Sequence, residues 1–295
     1  MDIIRTPDEC FADLAGYPFA PRYLDASGLR IHYVDEGPPG ADPVLLLHGE
    51  PTWSYMYRDT ITALAASGHR VIAPDLPGFG RSDKPLDRGD YTYQRHVAWM
   101  RELVTALDLR EITLVGHDWG GFIGLRLAAE NPDRFARIVV CEADLRTGDE
   151  PVPDGMRQWQ RLSQEMPVFQ VGEIVQIGSV SILSEGVRAG YDAPFPDARY
   201  QQGARQFPLL IPMSPDDPAT AANRAAWQVL CRWDKPFLTI FADDPVFHDA
   251  NARFQETVPG AKGQPHRLFP NTGHFLTEDI GPELAEVLLS FLSQP

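Results

Sequence analysis

The chain has few cysteines and few basic residues, and each shortage excludes a class of protein. Its 295 residues include three cysteines, Cys10, Cys141 and Cys231, whose wide spacing matches no disulfide or metal-binding pattern. Lysine and arginine total 26 against 41 acidic residues, so the formal net charge is −15. A nucleic-acid partner needs clusters of basic side chains, and we therefore expect none.

Long apolar runs are also missing. No run approaches the roughly 18 residues that a membrane-spanning helix needs. Residues 1–16 lack the basic and apolar regions of a secretory signal. With 43% hydrophobic residues the chain still has enough apolar side chains to build a large core. We expect a folded, cytoplasmic monomer that does not enter a membrane.

Short apolar runs alternate with helical patterns along most of the chain. Strands are predicted at 30–34, 44–47, 71–73, 112–115, 138–141, 237–241 and 266–269. Helices are predicted at 55–67, 96–107, 121–130, 221–232, 250–258 and 282–292. Continuous apolar strands separated by helices are typical of a mostly parallel sheet that helices flank on both faces.

The alternation stops between residues 147 and 217. This stretch is rich in proline and glycine, with short helical pieces and no clear strand. It predicts a helical cap, 147–217, inserted into an α/β core made of 1–146 and 218–295. In parallel sheets ligands bind beyond the carboxyl ends of the strands, which is where the polar motifs of this chain fall.

Asp118 lies in residues 116–121 (GHDWGG), between a predicted strand and a predicted helix. Strand, tight glycine-flanked turn and helix together predict a nucleophile elbow. A serine at this position would need a base, whereas a carboxylate attacks saturated carbon directly once it is ionised. The alternative is that Asp118 only caps the helix.

His274 follows the last predicted strand and precedes the last helix, which fits the chain order nucleophile, acid, histidine. Its acid partner has two candidates. Asp244 follows the strand at 237–241 and is preferred, while Glu142 ends the strand at 138–141 and is the alternative. The turn at 48–53 (HGEPTW) is expected to aim the amide of Glu50 at the pocket, beside the amide of Trp119, as an oxyanion hole.

These motifs resemble those of the haloalkane dehalogenases of the α/β-hydrolase fold, over nearly the whole chain. The strings that carry the resemblance are HGEPTW, DLPGFGRSD, GHDWGG, DAPFPD and GHF. The similarity is greatest to the subfamily in which two tryptophans hold the halide. It implies an Asp118 nucleophile, halide binding by Trp119 and Trp159, and Asp244 as acid. It also implies a haloalkane substrate and halide product, with no metal or organic cofactor.

Two other functions share parts of this pattern. An epoxide hydrolase has the same aspartate nucleophile and uses cap tyrosines, for which Tyr191 and Tyr200 are available. Glu50 and Trp159 favour the dehalogenase over it. A catalytically inactive receptor of this fold would be expected to lose a member of the triad, and none is missing here.

Overall fold

The computed structural model describes residues 1–243 and 246–294. Their strands are β1 (Ile3–Ile4), β2 (Arg22–Ala26), β3 (Leu29–Glu36), β4 (Pro43–Leu47), β5 (Arg70–Pro74), β6 (Lys84–Pro85), β7 (Ile112–His117), β8 (Phe135–Cys141), β9 (Phe237–Ala242) and β10 (Arg267–Phe269). Eight of them form one sheet in the order β10-β9-β8-β7-β4-β5-β3-β2, and β1 pairs with β6. β2 and β3 run antiparallel, and the other six strands are parallel to one another.

The helices over the same residues are α1 (Arg58–Ala66), α2 (Tyr93–Ala106), α3 (Trp119–Glu130), α4 (Asp154–Glu165), α5 (Val171–Ile177), α6 (Glu185–Asp192), α7 (Gln202–Gln206), α8 (Thr220–Leu230), α9 (His248–Thr257), α10 (Leu276–Asp279) and α11 (Gly281–Leu292). Short 3₁₀ turns lie at Asp8–Phe11, Ser54–Tyr57, Arg88–Asp90, Pro132–Arg134, Ala198–Gln201, Phe207–Leu210 and Pro259–Ala261. α1 packs against α11 and β5, while α3 packs against β7, α2 and α8.

The central strands are buried along their whole length, as their continuous apolar sequences predict. Every residue of β4, β7 and β9 is buried. A strand covered by helices on both faces has no solvent side, so it needs apolar side chains at each position rather than at alternate ones. The predicted α/β-hydrolase fold, a mostly parallel sheet flanked by helices, is confirmed.

The sequence patterns missed the edge strand β2. It forms a hairpin with β3 through Ser27 and Gly28, which have φ of 50° and 80°. Positive φ at both turn residues is the geometry that two-residue hairpins favour. The predicted helix at 55–67 also begins later than expected, because Ser54–Tyr57 forms a 3₁₀ turn before α1.

Between β8 and α8 the regular elements are α4 to α7 and two 3₁₀ turns, all within the described part of the chain. We call residues 154–210 the helical segment. Side chains of the core hold it in place: Trp53 Nε1 donates to Gly190 O at 3.0 Å, and Thr6 Oγ1 donates to Pro194 O at 2.7 Å. The cap boundaries given above, 147–217, stay a prediction.

Candidate active site

Asp118 lies at the turn between β7 and α3, with φ 49° and ψ −122°. Non-glycine residues adopt such a backbone conformation only where the surroundings enforce it. The glycines of the motif allow the close packing that does so: a Cβ on Gly120 would lie 1.9 Å from Leu47 O. Asp118 makes no capping hydrogen bond to α3, so the capping alternative is wrong. The turn instead leaves its carboxylate available at the carboxyl end of the sheet.

The Asp118 carboxylate is held by backbone amides. Glu50 N donates to Asp118 Oδ1 at 2.8 Å, and the Trp119 amide contacts the same carboxylate. Burial raises the pKa of Asp118, while His274 and the two amides oppose that rise. Both amides predicted for the oxyanion hole therefore lie at Asp118.

His274 lies on the other side of this carboxylate. Its Nε2 is 3.8 Å from Asp118 Oδ2, and the ring of Phe247 stacks on its imidazole with centroids 5.7 Å apart. Burial lowers the pKa of His117 well below its usual range, so the neutral His117 Nε2–H donates to His274 O at 2.7 Å. His117 was missed by the sequence analysis, although it directly precedes Asp118.

Glu142, the alternative acid, approaches His274 from the end of β8. Glu142 Oε2 is 3.6 Å from His274 Nδ1, which is an ion-pair distance rather than a hydrogen bond. Its other oxygen accepts from Ala242 N at 2.6 Å. Asp244, the preferred acid, lies outside the described residues. Its role stays a prediction.

Trp119 and Trp159 both line a cavity of about 350 Å³ above Asp118. Trp159 Nε1 donates to Glu50 Oε2 at 3.0 Å. Among the described residues no group accepts from the indole N–H of Trp119. The contact between the Glu50 side chain and Trp159 was not predicted from the sequence, because the two residues are far apart in the chain.

The Glu50 carboxyl is unusual for a cavity wall. Its side chain is buried, and its Oε1 has no hydrogen-bond partner. Burial raises the pKa of Glu50 well above its usual value, the charge of Asp118 raises it further, and the Trp159 N–H opposes both. Burial and the charge of Asp118 therefore both favour the protonated form of Glu50.

The rest of the cavity wall is almost entirely apolar. The helical segment and the loops beside it supply Met156, Leu162, Met166, Ile174, Ile177 and Ile211, and the core supplies Phe122, Phe247 and Phe275. Such a wall suits an apolar molecule. Tyr191 and Tyr200 are both described and neither lines the cavity; Tyr191 OH instead donates to Glu278.

No three or more His, Cys, Asp or Glu side chains of residues 1–243 and 246–294 are placed to hold a metal ion. None of the helices formed by these residues is long and apolar enough to span a bilayer. Cys10, Cys141 and Cys231 are free thiols.

Comparisons with known proteins agree with this geometry. The family model for the alpha/beta hydrolase fold matches residues 42–279. A haloalkane dehalogenase of Psychrobacter cryohalolentis is 57% identical, covering 99% of this chain and 98% of the relative. One of Mycobacterium marinum is 53% identical, covering 99% of this chain and 100% of the relative.

Solved structures of haloalkane dehalogenases are also similar to this chain. A haloalkane dehalogenase from Paraglaciecola agarilytica, described as tetrameric, superposes with a TM-score of 0.91 at 33% identity over 100% of both chains. Another from Agrobacterium tumefaciens superposes with a TM-score of 0.79 at 25% identity, covering 97% of this chain and 99% of its own.

Proposed function

The chain belongs to the haloalkane dehalogenases of the α/β-hydrolase fold, and from this we propose a hydrolytic dehalogenation that runs through an ester on Asp118. The observation that carries the proposal is the carboxylate at the elbow, with the Glu50 amide on one oxygen and His274 near the other. A haloalkane and water would give an alcohol, a halide ion and a proton. The chain is a hydrolase of this family.

In the first step Asp118 Oδ2 attacks the carbon that bears the halogen. Oδ1 is occupied by the Glu50 amide, so Oδ2 is the oxygen that faces the reacting carbon. The carbon–oxygen bond forms as the carbon–halogen bond breaks, and the halide leaves with the electron pair. Indole N–H groups of Trp119 and Trp159 are the donors proposed to receive it, because they combine a donor with an apolar body.

In the second step water cleaves the ester. His274 takes a proton from the water, and the resulting hydroxide attacks the carboxyl carbon of Asp118. The amides of Glu50 and Trp119 hold the negative oxygen that forms there. The alcohol then departs, and Asp118 is regenerated with one oxygen from water. A carboxylate, Asp244 or Glu142, stabilises the imidazolium during this step.

The apolar cavity wall supports a haloalkane as substrate, and the position of the tyrosines argues against epoxide opening. An epoxide hydrolase of this fold needs hydroxyl donors that face the substrate oxygen. Here Tyr191 is turned to Glu278 and Tyr200 lies away from the cavity. The helical segment closes the cavity over Asp118 and serves as the cap in this proposal.

One assay tests the proposal directly. Purified protein is mixed with a panel of bromo- and chloroalkanes, and halide and proton release are measured beside epoxide opening by the same preparation. We expect halide and protons to appear in equal amounts from short bromoalkanes. Good epoxide turnover without halide release would contradict the proposal.

A cytoplasmic location and a monomeric state also belong to this proposal. The acidic composition and the three free thiols support the first. Cell fractionation tests the location, and light scattering of the purified chain at several concentrations tests the oligomeric state.

A further inference from the structure

Two adjacent carboxylates in α10, Glu278 and Asp279, tie the loop that carries His274 to the helical segment. Asp279 accepts three backbone N–H groups. Gly273 N, the residue before His274, donates to Asp279 Oδ2 at 2.7 Å. Ser181 N and Val180 N donate to Asp279 Oδ1 at 2.7 Å and 3.0 Å. One side chain therefore holds both the His274 loop and residues 180–181 of the helical segment.

The two chain segments also touch directly. Phe275 N donates to Gly178 O at 3.3 Å, and a Cβ on Gly273 would lie 2.3 Å from that same oxygen. The backbone on both sides of His274 is thus bonded to the helical segment or to Asp279. Gly178, His274 and Phe275 all line the cavity, so this junction is part of its wall.

Glu278 also links the core to the helical segment. It forms a bidentate ion pair with Arg58 of α1, with N–O distances of 2.6 Å and 2.8 Å. It also accepts from the hydroxyl of Tyr191, which is fully buried on α6. Glu278 therefore connects the core to the helical segment one residue before Asp279 does.

We propose that Glu278 and Asp279 are positioning residues, which fix His274 for hydrolysis of the ester by bonding its loop to the helical segment. This rests on the proposed function above. Displacement of the halide needs Asp118 and the halide donors, and it does not need the imidazole. Hydrolysis needs the imidazole within reach of a water beside the ester, so misplacement of the His274 loop slows the second step alone.

The test is Asp279→Asn, which keeps the size of the side chain and removes its charge and one acceptor oxygen. Rapid-quench mass spectrometry with a bromoalkane measures how fast the adduct on Asp118 forms and decays. We expect adduct decay to slow by roughly 10- to 100-fold while adduct formation is unchanged. In steady state kcat and KM should then fall together, with kcat/KM preserved.

Asp192→Asn is the matched control. Asp192 is also partly buried and accepts a backbone N–H, from Gly172 at 3.0 Å, but it joins α5 to α6 without touching the His274 loop. We expect wild-type rates of adduct formation and decay. Equal slowing of both steps in Asp279→Asn, or wild-type decay, overturns the inference.

If Asp279→Asn does not fold, Tyr191→Phe tests the positioning role instead. It removes only the hydroxyl that bonds to Glu278, and it should slow adduct decay in the same direction by a smaller factor. Wild-type decay in Tyr191→Phe then overturns the inference. If the wild-type protein released no halide, the proposed function itself would fail. That outcome is distinct from a failure of this inference, which is judged from the variants' rates of adduct decay.

Discussion

The indole N–H of Trp159 donates to Glu50 Oε2 at 3.0 Å, although the two residues lie in different parts of the fold. The same glutamate directs its amide to Asp118 at 2.8 Å. If Trp159 receives the departing halide as proposed, the halide and the Glu50 carboxyl group compete for one donor. Halide binding is then coupled to the protonation of Glu50.

Halide affinity should fall as pH rises, because of Glu50. The pKa of Glu50 is already raised by burial, and a bound anion raises it further, so halide binding takes up a proton. Affinity is highest below the pKa of Glu50 and falls as pH rises through it. Quenching of tryptophan fluorescence by bromide across a pH series measures this.

Glu50→Gln identifies the group responsible. It keeps the backbone amide and an acceptor for Trp159 but has no proton to gain, so the pH dependence of bromide binding should flatten. Within the described part of the chain, Asp118 and His274 are the other titratable groups that face the cavity. A Glu50→Gln protein that keeps the wild-type dependence would assign it to one of them.

Trp119→Phe should weaken bromide binding more than Trp159→Phe does. Losing a donor to an anion costs on the order of 1.5–3 kcal/mol, or roughly 10- to 150-fold in affinity. Trp159 must first give up its bond to Glu50, which offsets part of its contribution, whereas the Trp119 indole has no acceptor to leave among residues 1–243 and 246–294. Bromide titrations of both variants check the order. Equal or reversed losses would show that the Glu50 bond has no influence.

The His274→Gln variant should become alkylated once on Asp118 and then stop turning over. Displacement needs only Asp118, while hydrolysis needs the base, so one halide per active site should be released in a burst. Mass spectrometry should find one alkyl group on the peptide that contains Asp118. If the variant stays unmodified, either His274 takes part in the first step or Asp118 is not the nucleophile.

The acid partner of His274 can be assigned by two substitutions. Asp244→Asn should severely slow adduct decay, while Glu142→Gln should have a mild effect because its amide can still accept from Ala242 N. Single-turnover decay rates compare the two. The reverse order would transfer the role to Glu142, and equal partial losses would mean that both carboxylates share it.

Gly120→Ala should destabilise the whole fold. Its Cβ would lie 1.9 Å from Leu47 O, a backbone atom that cannot move without shifting β4, so we expect a loss of about 3 kcal/mol in the free energy of unfolding. Gly40→Ala is the control, since a Cβ there meets nothing within 4 Å, and its change should stay within about 0.5 kcal/mol. Urea unfolding of both variants measures the difference.

Much of the core could be predicted from the sequence because its strands are continuous apolar runs, and the elbow could be predicted because its glycines are close to Asp118 in the chain. The edge strand β2 was missed because it is short and partly polar. The Glu50–Trp159 bond could not be predicted, because no local pattern records which distant side chains meet in a cavity. The same limit explains why Asp279 was missed, since its partners come from two separate segments.

The chemistry and the shape of the cavity have different origins in this chain. Asp118, Glu50 and His274 follow strands of the sheet, and Gly120 fixes the elbow against the main chain of β4. Met156, Leu162 and Ile174, which shape the space for the substrate, stand on α4 and α5. Substitutions of these three apolar side chains can therefore alter which halogenated chains are accepted without changing Asp118, Glu50 or His274. Enzymes of this kind can therefore diverge in substrate range while their reacting groups stay the same.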